Sequence, residues 1–249
     1  MTSIHTAPAH RAKPLFWNGT LVRSRFFDAL SLILPAGEAF LIDTLEAWRT
    51  RCSAPIDTKL RSEVERFVRE ERVHRQAHVR YNDALIAGLP DARAVADRAN
   101  RVTAELEQLD FPMKIALVAA FEHLTAVLSE EVVSHGTLLI DGQSHATRLW
   151  RWHAREELGH RDVAIDVAAR AGLRRGTLRL ALLLATGYLL VDQLRYTFAL
   201  CRCDIRSGAL SRRAASIDAA RFVFGSMPSL VRMARGWWRY FRAPLNVAR

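Results

Sequence analysis

Glycine and proline are scarce in this chain, 12 and 8 in 249 residues. Most fall in a few short clusters, with long tracts rich in alanine, leucine, arginine and glutamate between them. That scarcity argues against a sheet protein with many turns and favours helices. Cysteine is scarcer still. Cys52, Cys201 and Cys203 are odd in number and form no Cys-x-x-Cys pair. A disulfide framework is therefore not expected, and a reducing compartment is. The segment from Met1 to Pro14 has no apolar core of the signal-peptide kind. It reads as a flexible lead-in, and the expected location is cytoplasmic. No repeat at solenoid spacing, Ser-His-Asp order, phosphate-cradling glycine loop or zinc-knuckle spacing is visible.

Long apolar runs are also missing. The run from Leu180 to Val191 has twelve residues between Arg179 and Asp192, whereas a membrane span needs roughly 20. It reads as a buried helix, with contact to lipid as the alternative. Acidic residues thin out towards the C-terminus. Residues 1–173 hold 22 Lys and Arg against 23 Asp and Glu, while residues 174–249 hold 14 Arg against 3 Asp. There the basic residues alternate with aromatic ones, as in Gly236-Trp237-Trp238-Arg239-Tyr240-Phe241-Arg242. That pattern suits an interfacial segment better than a nucleic-acid arm. Peripheral membrane contact through the basic C-terminal third is one reading and a solvated, arginine-rich surface the other; no nucleic acid is expected, and a homodimer is compatible with the sequence.

What is present is helical periodicity. Arg25 to Leu34 reads as a short apolar helix ended by Pro35, with a restart near Gly37 that runs to Arg51. A long helix covers about Asp57 to Ala87, and a more polar one Asp91 to Leu109. Asp110 is a candidate N-cap for a third long helix, Pro112 to Ser134. A fourth runs from Ser144 to Ala171 without interruption. Arg174 to Cys203, Ser211 to Phe224 and Ser229 to Phe241 follow. The expectation is all-α: four long helices forming a bundle, with an inserted polar helix and a C-terminal helical extension. The divisions are a flexible segment over 1–14, the bundle over 15–173 and a basic extension over 174–249, packed on the bundle or at a membrane surface.

Two Glu-x-x-His units stand out, Glu71-Arg72-Val73-His74 and Glu157-Leu158-Gly159-His160. On a helix, positions i and i+3 share a face, so both side chains can reach one ion. Each unit has a further glutamate on the preceding long helix: Glu38 lies 33 positions before Glu71, and Glu122 lies 35 before Glu157. A four-helix bundle presenting this duplicated Glu…Glu-x-x-His is the design of two-metal carboxylate proteins. Carboxylate with imidazole suits iron or manganese. Glu122, inside Ala119-Ala120-Phe121-Glu122-His123-Leu124, fits poorly as a surface glutamate, whereas Glu65, Glu70 and Glu156 fit well as salt-bridged surface residues. His153, one turn before Glu157, is a candidate third imidazole ligand, and His78, one turn beyond His74, a ligand or a supporting partner. His123 points to another face. Tyr81 and Asn82 are candidates for the pocket wall, Asp162 and Asp166 for orienting a histidine, and Arg179 and Arg195 for meeting a substrate anion.

Pro35-Ala36-Gly37-Glu38-Ala39-Phe40, Arg69-Glu70-Glu71-Arg72-Val73-His74-Arg75-Gln76-Ala77-His78-Val79-Arg80-Tyr81-Asn82, Phe121-Glu122-His123-Leu124-Thr125-Ala126 and Trp152-His153-Ala154-Arg155-Glu156-Glu157-Leu158-Gly159-His160 together resemble the bacterial predicted metal-dependent hydrolases. The likeness extends over about residues 15 to 240. That family is similar in its metal motif to the ferritin-like superfamily, so the resemblance implies a ferritin-like four-helix bundle. Separately, His153-x-x-x-Glu157-x-x-His160 resembles the aminobenzoate N-oxygenases, di-iron enzymes with an additional histidine ligand. This second resemblance implies oxygen activation at Glu38, Glu71, His74, Glu122, His153, Glu157 and His160.

The expected function is that of a metal-dependent enzyme with two metal ions, iron first, with manganese or zinc as alternatives. An oxygen-activating oxidase or oxygenase on a hydrophobic, lipid-like small molecule is favoured. A two-metal hydrolase using a metal-bound hydroxide is the first alternative. A non-enzymatic metal-binding protein is the second.

Overall fold

The computed structural model describes residues 16–52, 56–140 and 142–242. Among the described residues there are nine helices and no strand: α1 (Leu21–Arg51), α2 (Thr58–Gly88), α3 (Ala92–Leu106), α4 (Phe111–His135), α5 (His145–Glu157), α6 (His160–Arg170), α7 (Arg175–Arg206), α8 (Arg212–Gly225) and α9 (Met227–Arg242). The all-α expectation is met. The segment 1–14 lies outside the described residues.

Side-chain caps set several helix starts. Asp57 accepts from the backbone N–H groups of Lys59 and Leu60 at α2, Asp110 from Met113 at α4, Ser144 from Thr147 at α5, and Ser211 from Ala214 at α8. Each satisfies an N–H that has no partner inside its helix.

Two boundaries depart from expectation. Helix α1 does not stop at Pro35 but runs through it. A proline inside a helix lacks the N–H that should reach the carbonyl four residues back. Here that carbonyl belongs to Ser31, and the Asn82 side-chain amide donates to it at 2.7 Å. A donor from α2 thus replaces the missing one. The expected fourth helix, continuous from Ser144 to Ala171, is divided into α5 and α6 at Leu158 and Gly159. Both residues keep right-handed backbone angles, but the N–H of Gly159 reaches back three residues, to Glu156. A tightened turn therefore sits between Glu157 and His160.

In the bundle, α1 lies along α2 and α4 along α5 and α6. The pairs close on each other through α1 with α4 and α2 with α5 and α6. The polar helix α3 covers α1 on the outside, with Val95 and Ala99 turned inward. Helix α7 packs on α1 and α4, and its Leu178, Ala181, Leu182 and Ala185 join the core formed by Phe40, Leu45, Val64, Phe67 and Val167. A buried ion pair ties α7 to α1: the Arg25 guanidinium donates to both Asp204 oxygens, at 2.7 and 2.8 Å.

Helices α4 and α7 are long and apolar enough to cross a membrane by length and composition. Most of α4's apolar stretch is buried inside the protein, but only a third of α7's is. The run Leu180–Val191 accordingly divides. Ala181, Leu182 and Ala185 are buried, while Leu183, Leu184, Leu190 and Val191 are exposed.

Candidate metal centre

Eight side chains singled out by the sequence converge between the helix pairs: Glu38 from α1, Glu71, His74 and His78 from α2, Glu122 from α4, His153 and Glu157 from α5, and His160 from α6. None is more than 4% exposed. They form two groups. Glu71, His74, Glu157 and His160 each offer an atom within 4.8 Å of the others, and so do Glu38, His78 and His153.

The first group is centred on Glu71 and Glu157. His160 Nδ1 lies 2.8 Å from Glu71 Oε1 and 3.6 Å from Glu157 Oε1. His74 Nδ1 lies 3.2 Å from Glu71 Oε1 and 3.3 Å from Glu157 Oε1. Glu122 stands at its edge, with Oε2 3.8 Å from His160 Nδ1. His153 bridges the groups, its Nε2 3.4 Å from Glu157 Oε1 and its Nδ1 3.3 Å from His78 Nε2. The duplicated pattern is thus not symmetric in space. Glu38 keeps company with two imidazoles, and Glu122 with the first group.

The donor set fits metal ions. Both oxygens of Glu38, Oε2 of Glu122 and Oε2 of Glu157 are buried with no hydrogen-bond partner among the described residues. Buried polar atoms are nearly always satisfied, and buried carboxylates need a donor or a cation. Four carboxylates meet here, and two dications would balance them.

Electrostatics divides the imidazoles into two kinds. Burial works against charge on His74 and His160, yet hydrogen bonds with Glu157 and Glu71 win and hold them up at about 11 and about 12. Burial, assisted by neighbouring imidazoles, pushes His78 well below its ordinary value. Burial likewise pulls His153 down to about 4. Burial and then the repulsion of fellow carboxylates push Glu38 and Glu122 well up. Without metal, protons on His74 and His160 offset the negative charge; metal binding would expel them.

Three of the four imidazoles are also held from outside. His74 Nε2 lies 2.8 Å from Glu156 Oε2, and His160 Nε2 lies 2.9 Å from Glu70 Oε2. This leaves the Nδ1 atoms facing the carboxylates. By sequence alone Glu70 and Glu156 read as surface residues. The available signal was the doubled Glu-Glu that opens both motifs. Ser31 donates its hydroxyl proton to Asn82 Oδ1 at 2.7 Å. Its oxygen therefore accepts from His78 Nδ1, 2.8 Å away, which leaves the Nε2 lone pair of a neutral His78 directed at His153.

The remaining candidates lie elsewhere. Tyr81 donates to Asp28, and Asn82 supports α1. Asp162 and Asp166 are exposed and orient no histidine; Glu70 and Glu156 take that role. His123 turns away, its ring 4.8 Å from that of Tyr240. Arg195 is exposed, and Arg179 donates to the backbone carbonyl of Phe241.

A cavity of about 90 Å³ reaches the cluster. Its floor is Glu38, Glu71, Glu122, His153 and Glu157, and its walls come from α1, α3, α4 and α7, including Leu34, Phe40, Val102, Leu106, Phe121 and Leu189. Among the described residues, no lysine or arginine lines it. Gly37 opens a notch in the α1 wall, where an added Cβ would meet nothing within 4 Å.

A family model described as predicted metal-dependent hydrolase matches residues 4–244. No curated protein and no solved structure matches the chain.

Proposed function

The chain belongs to the predicted metal-dependent hydrolase family, and from that premise we propose that it is a two-metal enzyme acting on an apolar small molecule, with oxygen activation by iron as its chemistry. Glu71, His74, Glu157 and His160 would hold one ion, with Glu122 beside them, and Glu38, His78 and His153 the other. The observation that carries the reading is the second group opening onto an apolar cavity. Two imidazoles and one carboxylate are the donor set associated with oxygen-activating non-haem iron. Ferrous ions, when bound, supply the electrons that oxygen reduction requires.

The protein's own part is binding, orientation and exclusion of water. Leu34, Phe40 and Phe121 give the cavity walls their apolar character, which favours a hydrocarbon substrate and keeps bulk water from the cluster. Glu70 and Glu156 fix the ring orientation of His160 and His74. Donors drawn from facing helix pairs support a ferritin-like arrangement. The exposed Leu190, Val191, Leu194 and Phe198 of α7 lie on the helix whose Tyr188 and Leu189 wall the cavity. That supports a lipid-like substrate entering from a membrane surface.

Hydrolysis by water activated at the same centre is the second reading, and the family description favours it. Among the described residues, the hydroxyl groups in the cavity lining that could hold a polar ester or amide are those of Thr103, Thr125, Tyr188 and Tyr196.

The two readings separate in one experiment. The purified protein is assayed for metal, reduced without air and then mixed with oxygen. Two irons per chain, a transient visible absorption and oxygen uptake are expected. A colourless zinc or manganese protein that cleaves simple esters without oxygen would replace this reading with the second. Unchanged metal content in both Glu122→Ala and His160→Ala would remove the two-metal centre itself.

A further inference from the structure

A second cavity, of about 250 Å³, opens between α4, α6, α7 and α9, away from the metal cluster. Its lining includes Arg161 from α6, Arg175 and Arg179 from α7, and Arg239 from α9, with His123 and Tyr240 also in its wall. His123 is only 3% exposed, and its Nε2 has no hydrogen-bond partner among the described residues. The Tyr240 hydroxyl is also buried and unpartnered. Buried polar atoms without protein partners call for a ligand or water.

We propose that this cavity is a binding site for a phosphate group, carried by a soluble phosphate ester or by an anionic lipid headgroup. The charge arithmetic favours an anion. Arg161 pairs with Glu130 at 3.1 Å and lies 3.6 Å from the exposed Asp162. Arg239 pairs with the same Glu130. Arg179 donates to the Phe241 carbonyl at 2.9 Å, and Arg175 has no ion pair among the described residues. Four guanidinium groups thus face two carboxylates. The geometry favours phosphate over carboxylate. A carboxylate is planar and is satisfied by one guanidinium fork, whereas a tetrahedral phosphate can accept from donors arriving in several directions. Here the donors arrive from three helices. Leu180 and Trp238, each adjoining one of these arginines in sequence, are about half exposed, as the rim of a headgroup site would require.

This inference does not depend on the reaction proposed for the metal centre. Its test is calorimetric titration of inorganic phosphate into the full, metal-loaded chain, its Arg175→Gln variant and its Tyr240→Phe variant. In parallel, the three proteins are sedimented with phosphatidylcholine vesicles, with and without phosphatidic acid. Arg175 is exposed and unpaired, so its replacement should leave folding and metal content intact. Saturable phosphate binding is expected, weakened roughly tenfold or more by Arg175→Gln, as loss of a charged hydrogen bond implies. If phosphatidic acid adds no sedimentation, the source is a soluble ester. If sedimentation requires phosphatidic acid, falls on adding inorganic phosphate and falls in Arg175→Gln, the source is a headgroup. Absence of both phosphate binding and phosphatidic-acid-dependent sedimentation overturns the proposal. So does binding that neither substitution weakens, since phosphate held by the metals alone would behave that way.

Discussion

Glu156 lies 2.8 Å from Nε2 of His74, although the two residues belong to different Glu-Glu-x-x-His motifs. The exchange is reciprocal, because Glu70 of the first motif lies 2.9 Å from Nε2 of His160 in the second. Within each motif the second glutamate faces the interior and the first crosses over to the other motif's imidazole. The two motifs thereby lock each other. An outer carboxylate raises the basicity of the inner nitrogen and fixes which nitrogen faces the metal.

Glu70 and Glu156 are about a third exposed, at 32% and 36% of their side chains, so they can be changed without opening the core. Glu70→Gln and Glu156→Gln keep a polar group in place but remove its charge. Each is expected to lower metal affinity by roughly 10- to 100-fold while the helical circular dichroism stays the same. Competition titration against a chelator reads the affinity. Wild-type affinity in both variants would show that the exchanged contacts are surface ion pairs only.

Gly37 offers a test of the cavity that spares the cluster. A side chain built there meets open space, and the cavity is what it would fill. Gly37→Leu is therefore expected to leave metal content unchanged. It also replaces a glycine inside a helix with a good helix former, which adds up to about 1 kcal/mol of stability. Binding of an apolar fluorescent probe, and turnover of any apolar substrate, should fall. A variant that melts no lower, keeps its metals and binds the probe as before would move the substrate site elsewhere.

Much of the fold and the site was legible because its information is local. The i, i+3 spacing of Glu71 with His74 depends only on helix pitch, and the turn between Glu157 and His160 keeps right-handed backbone angles, so that pair still shares a face. Asp110 and Ser144 announce helix starts by residue type, and both do cap their helices. What was not legible depends on chain segments far apart in sequence. Pro35 reads as a stop until Asn82 arrives from α2 to serve the Ser31 carbonyl. Glu70 and Glu156 look like surface residues until the facing helix brings a histidine to each. The unequal company of Glu38 and Glu122 reflects helix placement, which near-equal spacing in the sequence conceals.

Glu131 carries an acid-sensitive link between α4 and α9. Burial raises its pKa, but hydrogen bonds from Arg232, Ser229 and Thr137 prevail and lower it from 4.5 to about 2. His135 also faces it, 3.4 Å away. The folded value lies below the unfolded one, so the contribution to stability is complete above pH 4.5 and is lost as the pH falls from 4.5 towards 2. Glu131→Gln should destabilise the protein at neutral pH and flatten stability over that acid range. Equilibrium unfolding at a series of pH values measures this. Equal acid slopes in the two proteins would place the acid sensitivity elsewhere.

The passage of α1 through Pro35 makes a stronger demand on a single hydrogen bond. Asn82 does two things at Ser31: its amide donates to the carbonyl that Pro35 leaves unserved, and its oxygen accepts the hydroxyl proton. Asn82→Ala removes both and exposes a buried carbonyl to the cost of an unmet partner, roughly 1–3 kcal/mol. Pro35→Ala restores the helical N–H to that carbonyl. In the Pro35→Ala background, Asn82→Ala should then cost less, because the carbonyl already has a donor, while loss of the hydroxyl contact is common to both backgrounds and cancels. Urea unfolding of the four proteins of this cycle, in one metal state, reads the difference. A coupling of at least about 0.5 kcal/mol is expected, with the double variant more stable than additivity allows. Additive losses would mean that α1 tolerates Pro35 for reasons other than the Asn82 amide.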